Sequence, residues 1–149
     1  MGLEALSRGA ARSDLVEPER RAIEVIRRNI QMLGAEQAFL HRRPLKQALA
    51  ELEALIGTKA LPEGYDFIFL DPPYKQGAAF GRMVAEAIGN TRLLNPAGLF
   101  IHETDAGDPP LDYTEFGLVR DRMKRYGNTV VTYYKKLNER DNLLPDISG

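Results

Sequence analysis

The sequence predicts an α/β fold, a mainly parallel sheet flanked by helices and finished by an antiparallel hairpin. Three observations predict it. Short β-like runs alternate with amphipathic helical segments, the pattern of successive βαβ units. The run Phe67-Ile68-Phe69-Leu70 is apolar throughout rather than alternating, as expected of a strand buried on both faces of a parallel sheet. Two β-like segments at 118–125 and 129–135 flank Tyr126-Gly127-Asn128, a turn, so the regular structure closes as a hairpin.

The elements follow in order. Residues 2–8 carry Leu3 and Leu6 at helical spacing and stop at Gly9. A short strand is expected over 13–17, with Pro18 at the start of the next helix and Glu19 in its first turn. Over 19–33 the residues Ala22, Ile23, Val25, Ile26, Ile30 and Leu33 form an apolar stripe; Arg20, Arg21, Arg27 and Arg28 lie mostly opposite, and Gly34 ends the helix. A second strand is expected over 37–41 and an amphipathic helix over 45–56, with Leu45, Leu49, Leu52 and Ile56 on one side. The loop 57–64 leads into the apolar strand. After it, a helix over 80–88 should turn Met83, Val84 and Ala87 inward. Residues 93–98 read as a turn into a strand over 99–103, and 104–112 as a polar loop. The chain is expected to form one domain over 1–138, with a frayed tail over 139–149.

Composition narrows the function classes. At 149 residues, 44% hydrophobic and 28% charged, the chain is an ordinary globular domain with room for a core. It has no cysteine, which excludes disulfides, thiolate nucleophiles and zinc–cysteine sites. His41 and His102 are its two histidines, too few for a histidine-built metal centre, so no metal is expected. No apolar run approaches the ~20 residues of a membrane span, and the N-terminus has no basic-then-apolar leader pattern, so a cytoplasmic location is expected.

The chemistry concentrates where the apolar strand ends, at Asp71-Pro72-Pro73-Tyr74. Proline cannot donate to a ladder, so the strand must stop at Asp71. Open α/β sheets bind ligands at the carboxyl ends of their strands. The Asp71 carboxylate and the Pro72 carbonyl can both accept hydrogen bonds from an amine, and Tyr74 offers a flat face to a base. Stacking of that kind is worth roughly 1–3 kcal/mol per base. Together they could hold an exocyclic amino group in plane and aim its lone pair, a source of rate that needs no nucleophile or general-base histidine.

These residues, with Gly2-Leu3-Glu4-Ala5-Leu6-Ser7-Arg8-Gly9-Ala10, Val16-Glu17, Leu94-Asn95-Pro96-Ala97-Gly98-Leu99 and Lys124-Arg125-Tyr126-Gly127-Asn128-Thr129, resemble the bacterial 16S ribosomal RNA guanine-N2 methyltransferases of the RsmD type. The resemblance spans nearly the whole chain. It implies a Rossmann-like class I methyltransferase fold that uses S-adenosylmethionine, and 16S ribosomal RNA or a small-subunit assembly intermediate as partner. It implies that Glu17 binds the cofactor ribose, that Pro18 lies against the adenine, and that Asp71 also reaches the cofactor. Asp71, Pro72 and Tyr74 would hold the guanine amine after the base leaves its stack. Arg120, Arg122, Lys124 and Arg125 would face RNA phosphates.

Two departures accompany the resemblance. In the family a central first strand and a glycine-rich cofactor loop precede the Gly-Leu-Glu-Ala-Leu helix, and neither is present here; the expectation is a chain that starts inside a longer gene. Without that strand, a closed-up sheet, lowered stability or a homo-oligomeric partner is expected. At the end of the third family strand, Arg43 and Pro44 stand where relatives carry an acceptor for the adenine amine, a role neither side chain can fill. Alternative functions are amino methylation of adenine in DNA or RNA, and a non-catalytic RNA-binding module.

Overall fold

The computed structural model describes residues 10–71 and 76–137. The chain divides into two compact units, one ending at Leu52 and the other starting at Glu53, and its strands pair in two separate sheets. The expected helix over 2–8 and the tail lie outside the described residues.

In the first unit, β1 (Ser13–Val16) and β2 (Ala38–His41) pair in parallel, with Ser13 opposite Ala38 and Val16 opposite His41. Helix α1 (Arg20–Leu33) joins them, and α2 (Leu45–Leu55) begins after β2. The start of α1 differs from expectation. Glu19 is an extended N-cap, and Pro18 lies before the helix rather than in it. The Glu17 carboxylate causes the offset: it accepts the Glu19 N–H at 3.0 Å and fixes a turn over 17–19. The buried stripe of α1 is narrower than its apolar residues suggest. Ile23 is buried, whereas Val25, on the flank, and Leu33, the last helical residue, are 58% and 65% exposed.

In the second unit, β3 (Tyr65–Leu70), α3 (Gly77–Asn90), β4 (Leu94–Asp105), a 3₁₀ turn (Thr114–Phe116), β5 (Leu118–Tyr126) and β6 (Thr129–Lys136) follow in sequence. The sheet order is β3-β4-β6-β5, parallel between β3 and β4 and antiparallel elsewhere, which bears out the expected hairpin finish. Residues 94–98, expected as a turn, belong to β4. Between Tyr65 and Phe67 the partner advances from Leu94 to Leu99, so the stretch is a bulged part of the strand. Gly98 permits this because a Cβ there would lie 2.7 Å from Leu94 Cδ1 and 2.9 Å from the Asp66 carbonyl oxygen. Strand β4 also runs on to Asp105, into the expected loop, and the 3₁₀ turn had no signal in the sequence.

Strand β3 corrects the expectation of burial on both faces. Among the described residues it is an edge strand, hydrogen-bonded only to β4. Ile68 and Leu70 stand opposite Phe100 and His102 on the face packed by α3, whereas Phe67, opposite Leu99 on the other face, is 66% exposed. The inward residues of α3 are Gly81, Val84, Ala85 and Ile88, so of the expected set Val84 is buried, while Met83 and Ala87 are half-buried.

An aromatic cluster fills the space under α3. Phe100 stacks on Tyr134 with centroids 5.7 Å apart, Tyr113 meets Tyr134 at 4.8 Å, and His102 lies among them, fully buried. The Tyr113 hydroxyl is 3.3 Å from His102 Nδ1, and the Tyr134 hydroxyl donates to the Leu111 carbonyl at 2.7 Å. His102 Nε2 has no hydrogen-bond partner among the described residues. Burial therefore disfavours the imidazolium and lowers the His102 pKa from 6.5 to about 4.

Two outcomes follow from this packing. A Cβ on Gly81 would overlap the Tyr113 hydroxyl and lie 2.6 Å from His102 Cε1, so Gly81→Ala should cost ~1–3 kcal/mol in chemical denaturation. Between pH 6.5 and about 4 the unfolded chain binds a proton at His102 that the folded chain refuses. That contribution to stability is complete above pH 6.5 and is lost as the pH falls toward 4, with a slope of at most ~1.4 kcal/mol per pH unit. Denaturation midpoints measured across this range should show the slope in the native chain and a flatter profile in His102→Asn.

Candidate functional site

Each unit carries candidate residues at the carboxyl ends of its parallel strands. In the first, Glu17 leaves β1 with its N–H bonded to the His41 carbonyl at 3.1 Å, which extends the ladder by one residue and fixes the acid at the strand end. One carboxylate oxygen is engaged by the Glu19 N–H. Pro18 is exposed and lines an open cleft of ≈ 620 Å³ with Arg20, Ile23, Glu24 and Arg42. A second cleft of ≈ 360 Å³ is bounded by Leu40, His41, Arg42, Arg43 and Glu51. Arg43 is turned to Glu51, with Nε 3.2 Å from Oε1.

Beneath these clefts runs a network that sequence reading missed. Asp14, its side chain 1% exposed, accepts a fork from Arg12 at 2.9 and 3.0 Å and faces His41 Nε2 at 2.7 Å. Arg12 also covers the Phe39 ring at 4.0 Å. The signal was present in the parallel register: Asp14 pairs with Phe39, so Asp14 and His41, two positions further along β2, share a face. An acceptor-only carboxylate there requires a proton on Nε2 and sets the orientation of the ring.

In the second unit, Asp71 follows β3 and is exposed. Pro72 and Tyr74 lie outside the described residues. Leu70 stands opposite His102, so Asp71 comes level with Glu103 on the adjacent strand. Desolvation, reinforced by the charge of Asp71, raises the Glu103 pKa above the usual carboxylate value. Glu103 was not singled out from the sequence, although the carboxyl-end rule for parallel strands applies to β4 as well as β3.

The basic residues lie along the sheet's far edge. Arg120, Arg122, Lys124 and Arg125 are all exposed on β5. The Arg122 guanidinium sits 4.4 Å from the Tyr133 ring centre, and Arg125 Nε donates to the Gly127 carbonyl at 3.0 Å. No group of metal-ligating side chains occurs among the described residues, and none of their helices is long and apolar enough to cross a membrane.

The combination of parallel strands, intervening helices and an antiparallel closing hairpin defines the class I methyltransferase fold. YhhF of Escherichia coli, provisionally named a methyltransferase, superposes with a TM-score of 0.69 at 23% identity, covering 91% of this chain and 69% of that one. The chain belongs to the family described as Conserved hypothetical protein 95, the RsmD family, whose profile matches residues 1–135. YlbH of Bacillus subtilis, whose name assigns it provisionally to the rRNA methyltransferases, is 31% identical over 137 residues, covering 91% of this chain and 70% of YlbH. Ribosomal RNA small subunit methyltransferase D of Buchnera aphidicola is 38% identical over 77 residues, covering 52% of this chain and 36% of that protein.

The Asp14 network supplies a stability outcome. Asp14→Ala would remove the buried acceptor that Arg12 and His41 share. Removing one partner of a buried ion pair typically costs ~3–5 kcal/mol, so the variant should show a large loss in thermal or denaturant unfolding.

Proposed function

We propose that the chain takes part in S-adenosylmethionine-dependent methylation of a guanine N2 amino group in small-subunit ribosomal RNA, as a cytoplasmic enzyme. The observation that carries this reading is Asp71, exposed at the carboxyl end of β3 and immediately followed in sequence by Pro72-Pro73-Tyr74. The family membership and the names of the relatives support RNA as substrate class.

The first unit fits the adenosine part of the cofactor. Glu17 is a carboxylate held at a strand end, with a second oxygen able to accept from a ribose hydroxyl. The cleft beside Pro18 falls within the ~300–1,000 Å³ of small-molecule sites, and the proline offers an apolar face to adenine. When bound, S-adenosylmethionine supplies an electrophilic methyl group.

The second unit's residues act on the acceptor base. Asp71 accepts one N–H of the amine and thereby fixes the direction of the nitrogen lone pair. The Pro72 carbonyl accepts the other N–H, its direction set by two consecutive prolines. Tyr74 covers the base face. Arg120, Arg122, Lys124 and Arg125 contribute salt-dependent attraction to the phosphates.

Asp71→Ala should reduce methyl transfer ~10²-fold or more, because small misplacements of a reacting group cost that much. Glu17→Ala should chiefly raise the cofactor concentration needed for half-maximal rate. The assay is transfer of labelled methyl groups from S-adenosylmethionine to small-subunit ribosomal RNA, followed by nucleoside mapping. Label recovered as N2-methylguanosine supports the proposal, and label on adenine or unchanged transfer in Asp71→Ala overturns it.

A further inference from the structure

Strand β5 does not carry its cations on one face. A bulge at Asp121 interrupts its pairing with β6: Arg120 stands opposite Tyr134, and the next paired residue, Arg122, stands opposite Tyr133. Consecutive residues of β6 point to opposite faces, so Arg120 and Arg122 are separated. The remaining pairs continue this division. Met123 and Arg125 pair with Thr132 and Val130, on the face of Tyr134; Lys124 and Tyr126 pair with Val131 and Thr129, on the face of Tyr133.

Side-chain contacts agree with the register. Arg120 Nη1 reaches Met123 Sδ at 3.9 Å on one face, and Arg122 covers Tyr133 on the other. The acid within this run, Asp121, lies 3.9 Å from Lys135 Nζ, which offsets its charge. Each face of the edge strand therefore holds two cations and one exposed apolar side chain. Arg120 and Arg125 flank Met123, 44% exposed; Arg122 and Lys124 accompany Tyr126, 59% exposed.

We propose that the β5 edge is a two-faced RNA-binding surface that enters between two backbone segments, each face holding one segment through its two cations. This rests on the RNA reading above and specifies the form of RNA. Cations leaving a sheet on opposite faces cannot both meet a backbone laid against one face. In a regular A-form helix the deep, narrow major groove does not admit protein side chains, and the minor groove, though wide, is too shallow for a strand edge to enter between the backbones. The partner is thus an RNA with two separated backbone segments, such as an internal loop, bulge or junction.

The absence of native cysteine allows each face to be probed alone. Met123→Cys and Tyr126→Cys, both at exposed positions, would each carry a tethered iron–EDTA group that cleaves nearby RNA backbone. The RNA is small-subunit ribosomal RNA, free and in the subunit particle. Two separated cleavage clusters, one per probe, are expected. As a second measurement, Arg122→Ala should weaken backbone protection of the segment cut from Tyr126→Cys, and Arg125→Ala that of the segment cut from Met123→Cys. Coincident cleavage by both probes overturns the proposal in favour of a single strand along the edge. No cleavage while guanine methylation persists overturns it and leaves the proposed function standing; loss of both RNA binding and methylation by the unsubstituted chain overturns both.

Discussion

The aromatic contacts that bury His102 hold β4 in place, and β4 organises its whole unit. Phe100 and His102 project from one side of that strand into Tyr113 and Tyr134, and Gly81 lets α3 close over them. The strand pairs with β3 on one edge and β6 on the other. Its position therefore sets where Asp71 ends β3 and, through β6, how β5 presents its cations. A buried, neutral imidazole is a demanding centre for such an arrangement, since a nitrogen with no partner among the described residues is tolerated there only while uncharged. The Tyr134 hydroxyl, pushed up to about 12 chiefly by burial, marks the same low-polarity surroundings.

The first unit uses the opposite strategy. Beside the buried Ile23 of α1 and Ala48, Leu49 and Leu52 of α2, it places charged side chains against its two short strands. Charge also organises it: a nearly inaccessible carboxylate on β1 gathers a guanidinium from Arg12, just before that strand, and an imidazole from β2. Such a network is directional where hydrophobic packing is not, and it fixes the ends of both strands beside the clefts. Charge-assisted bonds near clefts also keep that surface polar.

Much of this was legible in the sequence, for identifiable reasons. Helices α1 and α2, strands β1 to β3 and the closing hairpin have strong periodicity and turn residues, and their bounds fall within a few residues of expectation. The misses share a cause. Continuous apolar character in Phe67-Ile68-Phe69-Leu70 cannot reveal whether both faces are covered, and Phe67 is exposed. Turn-like composition in Asn95-Pro96-Ala97-Gly98 cannot be told from a bulge without its partner strand. Period-two alternation places Arg120, Arg122 and Lys124 together, and the bulge at Asp121 moves Arg120 to the opposite face from the other two. Glu103 and the Asp14–His41 pair likewise became visible through register, a property of two strands at once. The strand-end positions of Asp71, Glu17 and Pro18 were recognisable because a strand end is marked locally by proline or an acid.

The bulge in β4 has a metrological consequence. Asn95 Nδ2 donates to Asp66 Oδ1 at 2.8 Å, and Gly98 lies against the backbone of Tyr65 and Asp66, so β3 and β4 are clamped at their entry. From that datum the strands count in step, Phe67 with Leu99 through Leu70 with His102. The extra residues are absorbed before the count begins. A slip of one position would reverse the side on which Asp71 emerges relative to its neighbour, an error no later contact could cancel. The clamp thus works as the zero mark of a scale whose reading is taken at the far end, at Asp71.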